Sequence, residues 1–224
     1  APISFNKEKK DERDLKFFKI KSRKKVNLTH WKNITNSALN NRNKVNIGLF
    51  GKYDELQDAY KSKDEALTQG WIANNLKVNL VRIESDKLKP KDIKVKLKEV
   101  SGILIPGGFG KRGSEGKIAA INFARNNHVP FLGICFGMQM AVIEFARNKL
   151  NIKKATSSEF GPTKASVVGL MSEWVKDGKK MKGTDKDLGG TMRLGSYEAY
   201  LKKGTLISSI YNATKINERH RHRY

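Results

Sequence analysis

Short apolar runs separated by amphipathic stretches organise most of the chain. Val45–Phe50 reads as a buried strand. Ala59, Ala66, Leu67, Trp71 and Leu76 then recur at spacings that predict an amphipathic helix over 59–76. Val78–Ile83 follows as a strand. Ile93, Leu97 and Val100 predict a shorter helix opened by Pro90, whose missing N–H costs nothing in a first turn. Gly102–Ile105 is a third strand, and 114–127 a helix with Ile118, Ile121, Phe123 and Ala124 on its buried side. Val129–Ile134 is a fourth strand and Met138–Leu150 a further helix. Strands alternating with helices predict an α/β fold, a mostly parallel central sheet with helices on both faces.

Beyond Asn151 the helical period fades. Ser166–Met171 and Met192–Tyr197 read as strands of a smaller, strand-rich C-terminal part, with the turn-rich, charged stretch Asp177–Gly190 between them. Arg219–Tyr224 alternates Arg and His, so His220 and His222 fall on one face of a strand that stops as if midway. The first 44 residues are different. They are basic, Asn-rich and weakly patterned, with one short helix marked by Leu28, Trp31 and Ile34 and capped by Asn27 or Thr29. We read 1–44 as a linker and 45–224 as a domain. A start at Ala1 without an initiating Met suggests a piece of something larger.

Charge adds a question. The net charge is +23. Of this, residues 1–44 carry +9 (13 Lys/Arg against 4 Asp/Glu) and the remainder +14 (32 against 18). A basic surface attracts phosphate chains without any specific site. Here Lys dominates, aromatics are only 8%, and no nucleic-acid-binding motif appears, so solvated lysine-rich faces are the better reading. No run approaches the ~20 apolar residues of a membrane helix, and no signal-peptide core is present. A single cysteine suits a reducing cytoplasm.

That cysteine sits in Gly133–Ile134–Cys135–Phe136–Gly137, where the fourth strand meets the next helix. This is the pattern of a nucleophile elbow with Cys in place of Ser. The flanking glycines leave room for a crowded turn, and the helix start favours a thiolate and offers N–H groups to an oxyanion, so an acidified thiol is expected. A thiol that merely packs beside a strand fits the position equally well. Pro106–Gly107–Gly108–Phe109–Gly110 leaves the third strand at the same edge, continuing into Lys111–Arg112–Gly113. Its spacing fits no phosphate-cradle motif, but its glycines allow close approach of a ligand to the backbone, which argues for one shared site with Cys135. A cysteine nucleophile needs a base. His30, His128, His220 and His222 are the candidates, and none is evidently placed for the task.

Together, PGGFG and GICFGMQ resemble the class I (triad-type) glutamine amidotransferases. Gly51–Tyr53, Asp58–Ser62, Arg112–Lys117, Ala141–Arg147, Gly189–Gly195 and Glu218–Tyr224 narrow the resemblance to the CTP synthase family, over about 45–224. That resemblance implies the family's α/β fold and a roster of roles. Cys135 would attack the glutamine side-chain amide and form a γ-glutamyl thioester. Gly108 and the Phe136 amide would form the oxyanion hole, with Gln139 helping to hold the substrate. Glu159 would take the α-amino group and Arg223 the carboxyl end, and the Arg112 loop would be a lid on which GTP acts as activator. Phe136 departs from the family's commoner Leu, a change that leaves its backbone N–H in place.

The same resemblance implies that L-glutamine is the substrate and that this chain needs no cofactor or metal of its own. ATP, Mg2+ and UTP would belong to a synthetase domain missing here, in a homotetrameric cytoplasmic enzyme. The family's catalytic His and Glu lie in an H-P-E segment downstream of Tyr224, so the chain by itself is expected to be inactive. Two other readings stand beside this one: a stand-alone cysteine hydrolase of the same broad fold, and a basic nucleic-acid-binding protein on a silent scaffold.

Overall fold

The computed structural model describes residues 2–22, 24–40, 43–51, 61–171, 173–176, 179–182 and 192–224. Parts of three sequence segments singled out above, Gly51–Tyr53, Asp58–Ser62 and Gly189–Gly195, lie outside the described residues. Three helices occupy the start of the chain: α1 (Pro2–Lys7), α2 (Lys10–Phe17) and α3 (Thr29–Asn40). Only the last had a sequence signal, and Asn27 opens it by accepting the Thr29 N–H at 3.0 Å. The alternating elements follow as β1 (Lys44–Gly51), α4 (Lys61–Ala73), β2 (Lys77–Glu84), α5 (Ile93–Lys96) behind a 3-10 turn at Pro90–Asp92, β3 (Gly102–Ile105), α6 (Ser114–Asn126), β4 (Phe131–Gly133) and α7 (Phe136–Asn148). The strand-rich part comprises β5 (Thr156–Ser157), β6 (Ser166–Val168), β7 (Glu173–Lys176), β8 (Lys179–Lys182), β9 (Arg193–Tyr200) and β10 (Lys215–His222), with α8 (Leu206–Tyr211) between the last two.

β1 to β4 form one sheet in the order β2-β1-β3-β4. The chain divides into two compact units. One contains the described residues of Ala1–Gly48, Tyr53–Val81 and Glu99–Ser101, and the other those of Leu49–Lys52, Arg82–Lys98 and Gly102–Tyr224. In the first, α3 and α4 are neighbours, and Ser37 of α3 donates to the Asn75 side chain at 3.0 Å.

The second unit holds the larger core. All of β3 is buried, as its unbroken apolar sequence requires. α6 contributes Ile118, Ala120, Ile121 and Ala124, and α7 contributes Phe136, Met140, Ile143 and Ala146, each set spaced to form one helical stripe. Between these helices Glu144 is only 1% exposed. A buried carboxylate must be paired, and Arg125 (Nη2 to Oε1, 2.8 Å), Asn122 and Asn148 surround it. Burial pushes Glu144 up, but its Arg125 and Asn122 hydrogen bonds outweigh that and leave the carboxyl below its ordinary range.

β3 and β4 pair in parallel, with Ile103 opposite Phe131, Leu104 opposite Leu132 and Ile105 opposite Gly133. The loops that follow the two strands therefore leave the sheet side by side. β9 and β10 form an antiparallel ribbon in which Arg193 faces His222 and Tyr197 faces Glu218. β10 begins at Lys215 and ends at His222, so the strand starts four residues before the Arg219–Tyr224 stretch read from the sequence. Within the expected turn-rich stretch, Lys179–Lys182 is a strand, β8, which pairs antiparallel with β7, Lys179 opposite Lys176.

Candidate active site

Cys135 is the cap residue of α7, with φ +53° and ψ −104°. A non-glycine residue in this region is strained, and the strain is maintained by the packing on either side. A Cβ on Gly137 would lie 2.1 Å from the Ile105 carbonyl oxygen, and one on Gly133 would lie 2.7 Å from the Gly137 carbonyl carbon. Only glycine allows α7 to start so close to β3 and β4. The expected elbow is present, and with it a reason for each flanking glycine.

The thiol is partly buried, and the backbone N–H groups of Phe136 and Gly108 favour its ionised form. These are the two amides that the sequence resemblance assigned to an oxyanion hole. The Gly-rich loop after β3 reaches Cys135 from the side: a Cβ on Gly107 would be 3.5 Å from Cys135 Cβ. The Arg221 carbonyl of β10 lies 3.9 Å from the sulfur.

Thiol acidity differs from the expectation. Burial pushes Cys135 up, the Phe136 and Gly108 N–H groups oppose it, and the Glu159 carboxylate adds to the rise. The net effect is a thiol above its ordinary value. The helix-start argument omitted the cost of taking a thiolate out of water beside a carboxylate. No histidine of the chain hydrogen-bonds to Cys135 among the described residues to offset that cost.

Glu159 lies on a 3-10 turn, Ser158–Phe160, opened by Ser157, whose hydroxyl accepts the Glu159 N–H at 3.2 Å. Its carboxylate accepts the Gly110 N–H at 2.7 Å. Gln139, 7% exposed on the second turn-facing side of α7, donates Nε2–H to the Tyr224 carbonyl at 2.9 Å. Arg223 is tied by its backbone, its carbonyl accepting the Met171 N–H at 2.9 Å. The end of β10 therefore passes both Cys135 and Gln139.

Arg112 follows the Gly loop and pairs through Nε with Asp86 Oδ2 at 2.9 Å. Burial raises Asp86, yet its backbone hydrogen bond and Arg112 hold the carboxyl below its usual range. The structure thus joins Cys135, Gly108, Phe136 and Glu159 through one loop, and Gln139 and Arg223 through the chain after β10. Arg112 stands apart, tied to the loop after β2.

Sequence reasoning missed Gly110 and Ser157, which act through a backbone N–H and a cap hydroxyl. A Ser two residues before Glu159 was the available signal. It also missed Lys117, which is 4% exposed and holds its ammonium 5.0 Å from the Phe136 ring centre. His220 and His222 do share a face, with Nδ1 atoms 3.3 Å apart. Burial first, then the Arg193 charge, pushes His220 down, and burial, His220 and Arg193 push His222 down. Among the described residues no three His, Cys, Asp or Glu side chains gather as a metal site would need, and no helix is long and apolar enough to cross a membrane.

Comparison with known proteins adds an independent line. The profile of the family "Glutamine amidotransferase class-I" matches residues 55–224. CTP synthase of Pelagibacter ubique is 65% identical over 224 residues, all of this chain and 42% of that protein. CTP synthase of Rhizobium johnstonii is 55% identical over 225 residues, with the same coverage of 100% and 42%. The chain thus spans about two fifths of the length of these curated relatives. Among solved structures, the glutaminase domain of Trypanosoma brucei CTPS with bound acivicin aligns with a TM-score of 0.66 and 33% identity, covering 80% of this chain and 67% of that one.

Proposed function

This chain belongs to the class I glutamine amidotransferases, and on that premise we propose that it is the glutamine-hydrolysing part of a CTP synthase. The observation that carries the reading is the environment of Cys135: a strained elbow at the start of α7, where the Phe136 and Gly108 N–H groups favour the thiolate.

The chemistry follows from that arrangement. The Cys135 thiolate attacks the side-chain amide carbon of L-glutamine, and the carbonyl oxygen becomes an oxyanion. The N–H groups of Phe136 and Gly108 receive and stabilise it in this reading. Collapse of this intermediate breaks the C–N bond, and the –NH2 nitrogen takes up one proton, equivalent to the one the thiol gave up, and leaves as ammonia. A γ-glutamyl thioester remains, and water then cleaves it to glutamate and the free thiol. Glu159 offers a carboxylate to the substrate ammonium, Gln139 shapes the pocket wall, and Arg223 takes the carboxyl end.

The ammonia would serve an ATP-dependent, Mg2+-dependent amination of UTP in a synthetase domain of the same polypeptide, joined through residues 1–44. GTP would act as activator at the loop that bears Arg112. The whole enzyme is read as a cytoplasmic homotetramer. The test is direct. In the full-length enzyme, Cys135→Ala should abolish glutamine-dependent CTP formation and labelling by a glutamine-analogue electrophile. Labelling that persists at another residue, with glutamine turnover intact, would overturn the reading.

A further inference from the structure

We propose that Glu159 is a positioning residue: through Gly110 it holds the Pro106–Gly110 loop, and with it the Gly108 amide, in the geometry that receives the oxyanion. The inference rests on reading Cys135 as the glutaminase nucleophile, and it gives Glu159 a task that begins before substrate arrives.

The loop has little means of holding its own shape. Three of its residues, Gly107, Gly108 and Gly110, lack side chains, and Gly110 sits at φ +83°. On one side the loop rests against Cys135, where a Cβ on Gly107 would meet Cys135 Cβ at 3.5 Å. At Gly108 an added Cβ would find no atom within 4 Å, so no packing fixes this residue from its outer side. The Gly110 N–H reaches across the site to Glu159 Oε1 at 2.7 Å, and the Gly108 N–H favours the Cys135 thiolate. A hydrogen bond to a carboxylate is among the stronger kinds and is directional, which suits it to setting a glycine loop.

The anchor is itself fixed. The Glu159 N–H is bound to the Ser157 hydroxyl at 3.2 Å, and Leu170 N–H binds the Ser158 hydroxyl at 3.2 Å. Phe160 meets the Phe136 ring edge-on, with centroids 6.1 Å apart. Glu159 thus ties the loop after β3 to a turn that packs on the first residue of α7. Oxyanion donors must be in place before the reaction to be effective, and a displaced donor forfeits much of its contribution.

The test compares Glu159→Gln with Glu159→Met in the full-length enzyme. Gln loses the charge but retains an oxygen that accepts the Gly110 N–H. Met keeps the length and offers no such acceptor. Both should raise KM for glutamine, since neither can pair with its ammonium. Only Met should also lower kcat, by about 10- to 100-fold, a part of the 10²–10³ that follows outright loss of an oxyanion donor. Amide hydrogen exchange at residues 108–110 should accelerate in Glu159→Met and stay near wild type in Glu159→Gln, and it can be read without substrate in any variant that folds. Equal kcat and equal exchange in the two variants would overturn the positioning role, leaving Glu159 as a substrate contact. Glutamine turnover that survives Cys135→Ala would instead overturn the reading on which the proposal rests.

Discussion

A Cβ on Gly137 would stand 2.1 Å from the carbonyl oxygen of Ile105, so the first turn of α7 lies directly against the last residue of β3. No side chain can yield there, because the obstacle is backbone. Gly137→Ala is therefore expected to push α7 off the sheet and to carry Cys135 with it. The cost should be at least the ~1–3 kcal/mol typical of overpacking, together with loss of glutamine turnover. Denaturant unfolding checks the first and a glutaminase assay the second. Stability and turnover at wild-type levels would show that this contact is not as close as described.

The elbow was legible because its meaning is local: a strand, Gly-x-Cys-x-Gly, then a helix. β3 was read to the residue, and α6 and α7 to within one or two residues at each end, since apolar stripes and an unbroken apolar strand are strong signals. The two helices before Phe17 were not legible, because charges such as Asp11, Glu12 and Asp14 give α2 no apolar stripe and none of its residues is buried. α8 was missed for a different reason: six residues held by the Thr205 cap are too short to display a period. Within the site, the residue types were legible, whereas the Gly110–Glu159 hydrogen bond joins positions 49 apart in sequence and leaves no pattern. The sign of the thiol shift was misread because the burial of Cys135 is a tertiary property.

Gly108 contrasts with Gly137. A Cβ there meets nothing within 4 Å, and its φ lies outside the left-handed region, so the protein itself has room for a side chain. Any penalty must fall on what enters the site. Gly108→Val is expected to keep stability within about 0.5 kcal/mol, as surface changes usually do, while lowering glutamine turnover in the full-length enzyme by roughly 10²-fold. Thermal unfolding alongside steady-state kinetics separates the two effects. Normal turnover in a normally folded variant would remove Gly108 from the oxyanion site.

Glu144 ties acid stability to the contact between α6 and α7. Its carboxyl is held below the ordinary value of 4.5, so its stabilising contribution is fully present above that pH and is lost as pH falls through the folded value. Glu144→Gln should flatten this part of the stability curve below about pH 4.5. It should also cost about 2 kcal/mol at neutral pH, less than the ~3–5 kcal/mol for breaking a fully buried pair, because Arg125 remains 28% exposed. Denaturant midpoints measured between pH 3 and 7, on the order of half a unit apart, would show whether the variant loses the acid limb.

The β9–β10 ribbon should respond at a higher pH. His220 and His222 are both pushed below the ordinary 6.5, by burial first and by the charge of Arg193 beside them. Between 6.5 and the folded values the unfolded chain binds more protons, so stability declines as pH drops through that window. With Nδ1 atoms 3.3 Å apart, the pair cannot readily hold two charges. Following both imidazoles by NMR should show titration below 6.5, and His220→Gln should bring His222 back toward its ordinary value. Titration of both rings at or above 6.5 would contradict the burial of this face.

The last expectation concerns the 224-residue chain taken alone. A cysteine protease-like mechanism needs the thiolate, yet burial and the Glu159 carboxylate raise the Cys135 thiol, so little thiolate is present at neutral pH. Among the described residues no histidine hydrogen-bonds to the Cys135 sulfur. His222 is occupied with His220, and the sulfur's neighbour on β10 is the Arg221 carbonyl, which accepts and cannot activate. Acylation by glutamine should therefore be slow, and deacylation slower, because the attacking water also has no base. Cys–His pairs act as units, so a thiol with no imidazole bonded to it has little of the pair's acceleration. The isolated chain should show negligible steady-state glutamine hydrolysis, and its alkylation by iodoacetamide should rise with pH to a midpoint above that of an ordinary thiol. A neighbouring cationic imidazole stabilises a thiolate, so on the proposed reading a full-length polypeptide that turns over glutamine should show a lower alkylation midpoint than the isolated chain. Brisk hydrolysis by the isolated chain, abolished by Cys135→Ala, would mean that a group within these 224 residues serves as the base and that the site closes differently in solution.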